Sequence, residues 1–241
     1  VHELITIDII NYCIFKDRLI SSTQWDFIKD MLHPSSPPSI RHDIVSGPLD
    51  ADKMDYLLRD SYFCGVRYGT YDLERFIQAL VRVSDYPEER VGVNEEDIAS
   101  VDQYIFAKHF ISLQVYRHKI RRITDAMLSR AILLAAEEGN DLIRTTYSYK
   151  PNSPEYIESF LQLDDEALLN IILRMPAVSK ARELVSRLRE RRLLKEVFLK
   201  KMPCGSENFQ QKVEQIEDQE DWKTSLEQKI ADSIGVPGYS I

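Results

Sequence analysis

The sequence predicts a mainly helical protein with one small β-hairpin, and two observations support this fold class. Apolar residues recur at spacings of three and four along most of the chain, which is the period of an α-helix that packs on one side. Only 8 glycines occur. No glycine-rich phosphate loop stands between a strand pattern and a helix pattern, which argues against Rossmann and Walker-type nucleotide sites.

The first half of the chain carries clear start and stop signals. They predict, in order, a helix near residues 4–10, a second helix after Ser21-Ser22, a loop over 33–48, a helix over 50–63, a helix over 73–80 and a hairpin over 81–93. The loop is predicted because four prolines fall in that stretch, and proline cannot sustain a helix interior. Cys64-Gly65 ends the helix that precedes it.

The second half divides at Gly139-Asn140, a helix-ending pair that follows a helical pattern over 98–138. We therefore expect two regions, 1–140 and 141–241. The second region is expected to contain a linker over 147–154, helices over 166–174, 177–201 and 207–234, and the start of a strand over 235–241. It is accordingly predicted as a helical region with a small β contribution.

Composition narrows the class of protein. The 44% hydrophobic and 29% charged residues are ordinary for a globular protein, and the net charge of −8 argues against nucleic acid as a partner. No apolar run approaches the roughly 20 residues of a membrane span. Three cysteines without a C-x-x-C pair indicate a reducing, cytoplasmic setting. Because the chain starts with Val1 and shows no signal peptide, we expect natural sequence before it.

The helix over 50–63 carries a polar face. At about 100° per residue, Asp52, Tyr56 and Asp60 lie within about 80° of one another, with Lys53 beside them. Two interpretations remain open. The face is either the solvated side of an amphipathic helix with paired charges, or a metal-ligating carboxylate beside groups that hold a phosphate and a hydroxyl.

A second polar face follows in KHFISLQVYRHKIRR. Lys108, Ser112, Tyr116 and Lys119 share an arc of about 80° on a helical wheel. A solvated surface is one interpretation. A site for an anionic ligand with a sugar or aromatic part is the other, because two lysines flank a tyrosine.

The strings LDADKMDYLLRDSYFCGVRYGTYDLERFI and VYRHKIRRITDAML resemble the HD-domain dNTP triphosphohydrolases and related bacterial HD phosphohydrolases. The resemblance covers residues 2–138 and implies an HD-domain-like helical bundle. It also implies a divalent metal, which in this superfamily is Mn, Mg, Fe, Ni or Zn. Such enzymes release the deoxynucleoside and intact triphosphate, and they assemble as homo-oligomers such as dimers or tetramers.

The resemblance assigns expected roles to residues of this chain. Asp52 matches the last of the family's metal ligands, Lys53 and Tyr56 match groups that touch the triphosphate, and Asp60 matches a group that reads the sugar 3′-hydroxyl. Tyr116 matches a residue beside the sugar and base of the substrate, and Lys108 stands where the family usually has an arginine for the phosphates. His118 and Lys119 match residues near the same pocket.

A regulatory nucleotide site is also implied, at Arg75 of the motif YDLERF. Members of the family that respond to an activating nucleotide carry an arginine at this point and are basic in the hairpin that follows. Here the hairpin is followed by Asn94-Glu95-Glu96, which departs from that pattern and weakens the expectation.

The doublet His42-Asp43 resembles an HD motif but lies only ten residues before Asp52, whereas several helices separate the two in the family. We therefore expect it to be a coincidence. The metal-binding doublet and the catalytic residues are expected upstream of Val1, because His2-Glu3 resembles a stretch that follows the true doublet.

These expectations give one leading hypothesis and two alternatives. The first is a metal-dependent phosphohydrolase acting on dNTP. The alternatives are an HD phosphohydrolase acting on another nucleotide phosphoester, and a non-catalytic helical scaffold or regulatory module that retains the fold without turnover.

Overall fold

A computed structural model of the chain describes residues 2–13, 21–33, 35–84, 88–195, 225, 228–233 and 235. Two compact units are present. The first unit comprises Val1–Arg122 and Leu142–Glu166, and the second comprises Ile123–Asp141 and Ala167–Ile241. The boundary between residues 140 and 141 that the sequence suggests stays a proposal.

Within these residues, helices dominate and the strands form a single antiparallel pair, which confirms the mainly α fold class. The elements are α1 (His2–Cys13), α2 (Ser22–Leu32), α3 (Ile40–Ser46), α4 (Ala51–Cys64), α5 (Leu73–Ala79), β1 (Leu80–Val83), β2 (Arg90–Val93), α6 (Ile98–Ile111), α7 (Lys119–Glu137), α8 (Asp141–Thr146), α9 (Pro154–Leu161), α10 (Asp165–Leu173) and α11 (Lys180–Arg189).

The α4 helix begins and ends where its sequence signals predict. Asp50 is the N-cap, and its Oδ1 accepts the Lys53 backbone N–H at 2.8 Å. Gly65 ends the helix in the left-handed region, with φ of 66°, which glycine adopts at little cost. Leu57 and Ser61 of α4 are buried, whereas Asp52 is exposed and Lys53, Tyr56 and Asp60 are half-buried.

An aromatic cluster forms the core against which α4 packs. Phe76 of α5 stacks on Tyr104 of α6 with ring centroids 4.6 Å apart, and Tyr71 meets both rings edge-on at 5.7 and 5.3 Å. Leu57 of α4 and Ile111 of α6 complete this cluster at 0% exposure. Burial of these large side chains fixes α4, α5 and α6 relative to one another.

The hairpin and the helix after it confirm most of the predicted pattern. β1 pairs antiparallel with β2, and Leu80 lies opposite Val93. After α6, however, the chain takes a π-helical turn over Ser112–Tyr116 before α7 begins at Lys119. The regular α-helix on which the expected common arc of Lys108, Ser112, Tyr116 and Lys119 depends is therefore interrupted, because a π-turn changes the angle per residue.

The predicted loop over 33–48 contains a helix that the sequence reading missed. Ser39 caps α3 by accepting the His42 backbone N–H at 3.3 Å, and α3 ends at Ser46. The prolines do not oppose this helix because Pro37 and Pro38 precede its cap and Pro48 follows its end.

Asp43 of α3 joins the helix to the hairpin. Its carboxylate accepts two hydrogen bonds from the Arg90 guanidinium, at 2.7 and 2.8 Å, and one from the Val91 N–H at 3.0 Å. The Asp43 side chain is 6% exposed. The Arg90 hydrogen bonds hold the pKa of Asp43 below its ordinary value of 3.8.

The second unit buries Met127, Ala131 and Leu134 of α7 and Leu184 and Val185 of α11. The helix predicted over 177–201 is shorter than expected, since α11 ends at Arg189. Arg191 has φ of 56°, and the Arg192 N–H bonds the Arg187 carbonyl, so a left-handed turn closes the helix.

The strand expected over 235–241 lies outside the described residues except for residue 235, and the helix expected over 207–234 is described only in part, at 225 and 228–233. In the described part of the chain, no helix combines the length and the apolar character needed to cross a membrane.

We expect the Asp43–Arg90 pair to stabilise the fold in a pH-dependent way. Asp43→Asn should lower the free energy of unfolding by about 2 kcal/mol at pH 7, because the nearly buried carboxylate would lose its charge-assisted hydrogen bonds with Arg90. Since the folded pKa is depressed, this contribution is present above the ordinary value of 3.8 and disappears as the pH falls through the folded pKa. Urea unfolding of both proteins at pH 7 and near pH 3 measures the difference.

The matched control is Asp26→Asn. Asp26 pairs with Lys29 at 2.8 Å, but its side chain is 71% exposed, so the cost should be less than about 0.5 kcal/mol. Equal stability of the Asp43→Asn protein and the wild type at pH 7 would contradict the structural role of this pair.

A second prediction concerns two tyrosines of the aromatic cluster. The Tyr104 hydroxyl is buried with no hydrogen-bond partner among the described residues, whereas the Tyr71 hydroxyl donates to the Met54 carbonyl at 3.0 Å. Tyr104→Phe should leave stability unchanged or raise it by up to about 1 kcal/mol, and Tyr71→Phe should lower it by about 1 kcal/mol. Thermal unfolding of the two variants checks this, and a large loss for Tyr104→Phe would refute it.

Candidate functional site

The polar side of α4 carries the residues that the sequence singles out. Asp52 is exposed to solvent, while Lys53, Tyr56 and Asp60 are half-buried. All four belong to α4, whose Leu57 is buried at 0% exposure. Tyr56 also packs against the aromatic cluster, so the packing of α4 places these polar residues at the border between the core and solvent.

Lys53 is held at the start of α4. Its Nζ donates to the Gly47 carbonyl oxygen at 3.1 Å and forms an ion pair with the Asp50 carboxylate. The Lys53 side chain is 26% exposed, and that of Asp50 is 4% exposed. The ammonium group is thus fixed on its protein side and still reaches solvent.

Asp60 is joined to the segment after α6. The Tyr116 hydroxyl donates to Asp60 Oδ2 at 2.7 Å, across 56 positions of sequence. The Tyr56 ring packs edge-on against Tyr116, with centroids 6.2 Å apart and an interplanar angle of 64°. The structure therefore brings Tyr56, Asp60 and Tyr116 together, and we name these three residues the tyrosine–carboxylate cluster.

Both tyrosines of the cluster stay protonated at neutral pH. Burial raises the pKa of Tyr116, and its hydrogen bond to Asp60 raises it further. Burial also raises the pKa of Tyr56, although nearby Lys53 opposes the shift. The Tyr116 proton is used in the hydrogen bond to Asp60, and the Tyr56 phenol keeps its proton as a hydrogen-bond donor.

The other expected substrate residues lie on solvent-exposed positions. Lys108 is exposed on α6, and His118 and Lys119 are exposed at the junction between the π-turn and α7. His118 Nδ1 accepts the Ile120 backbone N–H at 3.3 Å, which gives His118 a local capping role. The hydrogen bonds found for the tyrosine–carboxylate cluster do not extend to Lys108 or His118 within the described residues.

Arg75, expected to contact a regulatory nucleotide, lies at the start of α5. Its guanidinium forms an ion pair with Asp97, and its own side chain is 58% exposed. The Arg75 backbone N–H is capped by Asp72 at 3.0 Å. The structure thus gives Arg75 an intramolecular partner and leaves part of the guanidinium accessible.

The residues present do not make a complete metal site. Among the residues that the structure describes, no group of three or more His, Cys, Asp or Glu side chains is placed to hold a metal ion. Asp52 is a single exposed carboxylate, and hard divalent cations need several oxygen or nitrogen ligands. Asp43 of the His42-Asp43 doublet is committed to Arg90 and Val91 instead.

Sequence reasoning missed Asp50 and the Gly47 carbonyl as partners of Lys53. A signal was present for the first, because an acidic residue that precedes a helix and stands three positions before Lys53 is a typical N-cap. No signal in the sequence identifies a backbone carbonyl as a side-chain partner. The Arg121 guanidinium, 5.7 Å from the Tyr116 ring centroid, was also missed.

Several known proteins are similar to this chain. Deoxynucleoside triphosphate triphosphohydrolase SAMHD1 from Homo sapiens is 26% identical over 199 residues, which is 77% of this chain and 31% of that protein. An uncharacterised protein from Methanocaldococcus jannaschii is 33% identical over 131 residues, 54% of this chain and 28% of that protein. The chain thus spans about a third or less of the length of these relatives.

A crystal structure of a phosphohydrolase from Bacteroides thetaiotaomicron has the same fold. It superposes with a TM-score of 0.64 over 98% of this chain and 56% of that chain, at 23% sequence identity. The family model described as the HD associated region matches residues 71–241, which is more than half of the sequence. The chain therefore belongs to the HD-associated region family and resembles the HD-domain phosphohydrolases, as its sequence motifs indicate.

Proposed function

We propose that the full-length protein carrying this chain is a metal-dependent phosphohydrolase that converts dNTP to deoxynucleoside and triphosphate. The observation that carries the proposal is the tyrosine–carboxylate cluster. Asp60, Tyr116 and Tyr56 come from two distant segments and meet on the side of α4 that also carries Lys53. A relative that is 26% identical is named a deoxynucleoside triphosphate triphosphohydrolase.

Each residue of this surface has a chemical property that suits one part of a dNTP. The Lys53 ammonium offsets phosphate charge, and the protonated Tyr56 hydroxyl donates a hydrogen bond to a phosphate oxygen. The Asp60 carboxylate accepts a hydrogen bond from a sugar hydroxyl, since Tyr116 engages Oδ2 and leaves Oδ1 open to a ligand. Lys108, His118 and Lys119 would add positive charge or donors around the nucleotide.

Asp52 is proposed as one ligand of a divalent cation. Its neighbours among the described residues do not complete a coordination shell, so the other ligands would have to come from residues outside the described part of this chain. We place the groups that activate the attacking water there as well. The chain's own contribution is then to bind and orient the nucleotide.

The assembly and regulation of the protein are proposals that rest on the family. We propose a homo-oligomer, a dimer or tetramer, in the cytoplasm, with Arg75 as the candidate contact for an activating nucleotide. The Arg75–Asp97 ion pair would have to open, or to share the guanidinium, for that contact to form. This requirement makes Arg75 a weaker proposal than the residues of α4.

One observation favours a second candidate, a non-catalytic scaffold or regulatory module. Within the described residues the metal-ligand set is incomplete. A protein of this fold without a metal site would have no metal-activated water to attack a phosphate. Another phosphoester substrate is the third possibility. The reaction products separate all three.

We expect the purified full-length protein with a divalent metal to release triphosphate and deoxynucleoside from dNTP in equal amounts. Asp52→Ala should lower turnover at least about 100-fold while leaving helicity unchanged, because it removes a metal ligand from an exposed position. Ion chromatography of the products and far-ultraviolet circular dichroism measure the two quantities.

Asp55→Ala is the matched control for this experiment. Asp55 is an exposed carboxylate of the same helix and pairs with Arg59 at 2.9 Å. Its loss should change turnover less than about twofold. Inorganic phosphate or nucleoside monophosphate as product would contradict the dNTP triphosphohydrolase proposal, and absence of turnover with no bound metal would favour the scaffold.

A further inference from the structure

The Lys53 ammonium is anchored by two acceptors that both precede α4. One is the Gly47 carbonyl oxygen at 3.1 Å and the other is the Asp50 carboxylate. A lysine ammonium has three N–H donors arranged tetrahedrally. These two contacts leave one donor, which by this geometry points away from both anchors.

The first anchor is fixed by the end of α3. Gly47 is buried, and its N–H bonds the Asp43 carbonyl at 3.0 Å to close the helix. A Cβ at this position would lie 2.3 Å from the Asp43 carbonyl oxygen, so only glycine fits this close approach. Because Asp43 is itself tied to Arg90, the Gly47 carbonyl has a well-defined position relative to Lys53.

The second anchor has two separable roles. Asp50 Oδ1 accepts the Lys53 backbone N–H at 2.8 Å and so caps α4, while Oδ2 binds the Lys53 ammonium. Asparagine at this position would keep the cap, because its amide oxygen accepts the same N–H, but would lose the charge that holds the ammonium. Capping and side-chain positioning can therefore be tested apart.

We propose that Asp50 is a positioning residue that holds Lys53 in the orientation that binds the substrate triphosphate. The inference rests on the proposed function and deepens it, because Asp50 would not touch the substrate itself. A lysine confined to one orientation before binding loses less conformational freedom when the phosphate arrives. Affinity is therefore higher than for a lysine that must be ordered by the ligand.

One effect opposes this gain, since a carboxylate near Lys53 repels a phosphate. The repulsion is weakened in two ways: the Asp50 charge is in direct contact with the Lys53 ammonium, and it lies at the positive N-terminal end of α4. A phosphate at the third donor would thus meet an ion pair rather than a bare carboxylate. We expect the ordering effect to be the larger one.

The test is inorganic tripolyphosphate binding to the full-length protein by isothermal titration calorimetry. Asp50→Asn should raise the Kd by roughly 3- to 10-fold, and Lys53→Ala should raise it by at least about 10-fold. In the Lys53→Ala background, adding Asp50→Asn should change the Kd less than about twofold, because Asp50 acts through Lys53. A merely structural role would instead give additive effects.

The control is Asp55→Asn, which makes the same chemical change and the same change of net charge elsewhere on α4. It should leave the tripolyphosphate Kd within about twofold of wild type. Thermal unfolding of Asp50→Asn and Asp50→Ala completes the set, since only the alanine variant should lose the helix cap.

Distinct outcomes separate this inference from the proposed function. If the wild type releases triphosphate from dNTP but Asp50→Asn binds tripolyphosphate as tightly as wild type, or more tightly, the positioning role is wrong and the proposed function stands. If the wild type neither binds tripolyphosphate nor releases it from dNTP, both are wrong. Weaker binding by Asp50→Asn that vanishes without Lys53 supports the positioning role.

Discussion

The burial of one side of α4 is the constraint on which the rest of the first unit depends. Leu57 lies at 0% exposure in the aromatic cluster with Phe76 and Tyr104, so α4 cannot rotate about its axis without exposing a large apolar side chain. Residues at four-residue spacing must then share one face of the helix. Asp52, Tyr56 and Asp60 lie on such a face, which runs from solvent at Asp52 to the edge of the aromatic cluster at Tyr56.

Two polar contacts convert that surface into a defined arrangement. The Asp50–Lys53 pair fixes the ammonium near the start of α4, and the Tyr116–Asp60 hydrogen bond fixes the carboxylate one turn from its end. Both contacts are half-buried, where hydrogen bonds to charged groups are stronger than on an open surface. A chain with net charge −8 thus carries an oriented ammonium, an oriented carboxylate and the Tyr56 phenol on the same helix.

The sequence predicted those parts of the fold that local signals control. The Gly65 stop predicted the end of α4, and the spacing of Leu73 and Phe76 predicted α5. Two short β-prone segments between residues 81 and 93 predicted the hairpin. The α3 helix was not predicted, because the prolines on both sides of it indicated a loop, although Ser39 caps the helix in the structure. The α11 helix was predicted to be too long, because its left-handed stop lies at Arg191 and not at a glycine.

The candidate site was predictable as a set of residues but not as a geometry. The motif resemblance assigned Asp60 and Tyr116 to one substrate pocket. Their hydrogen bond involves Tyr116 at the end of a π-turn over Ser112–Tyr116, and a regular helical wheel does not represent such a turn. The Gly47 carbonyl could not be predicted as a partner of Lys53 for a related reason, since the two groups meet only when α3 and α4 are both folded. Tertiary contacts of this kind are not encoded in local periodicity.

The most direct measurement is a crystal structure of the full-length protein with a non-hydrolysable dNTP analogue. We predict phosphate oxygens within about 3 Å of Lys53 Nζ and the sugar 3′-hydroxyl at a similar distance from Asp60, with the Tyr116 hydroxyl still donating to the Asp60 carboxylate. A nucleotide bound elsewhere, with Lys53, Tyr56 and Asp60 facing only protein or solvent, would contradict it.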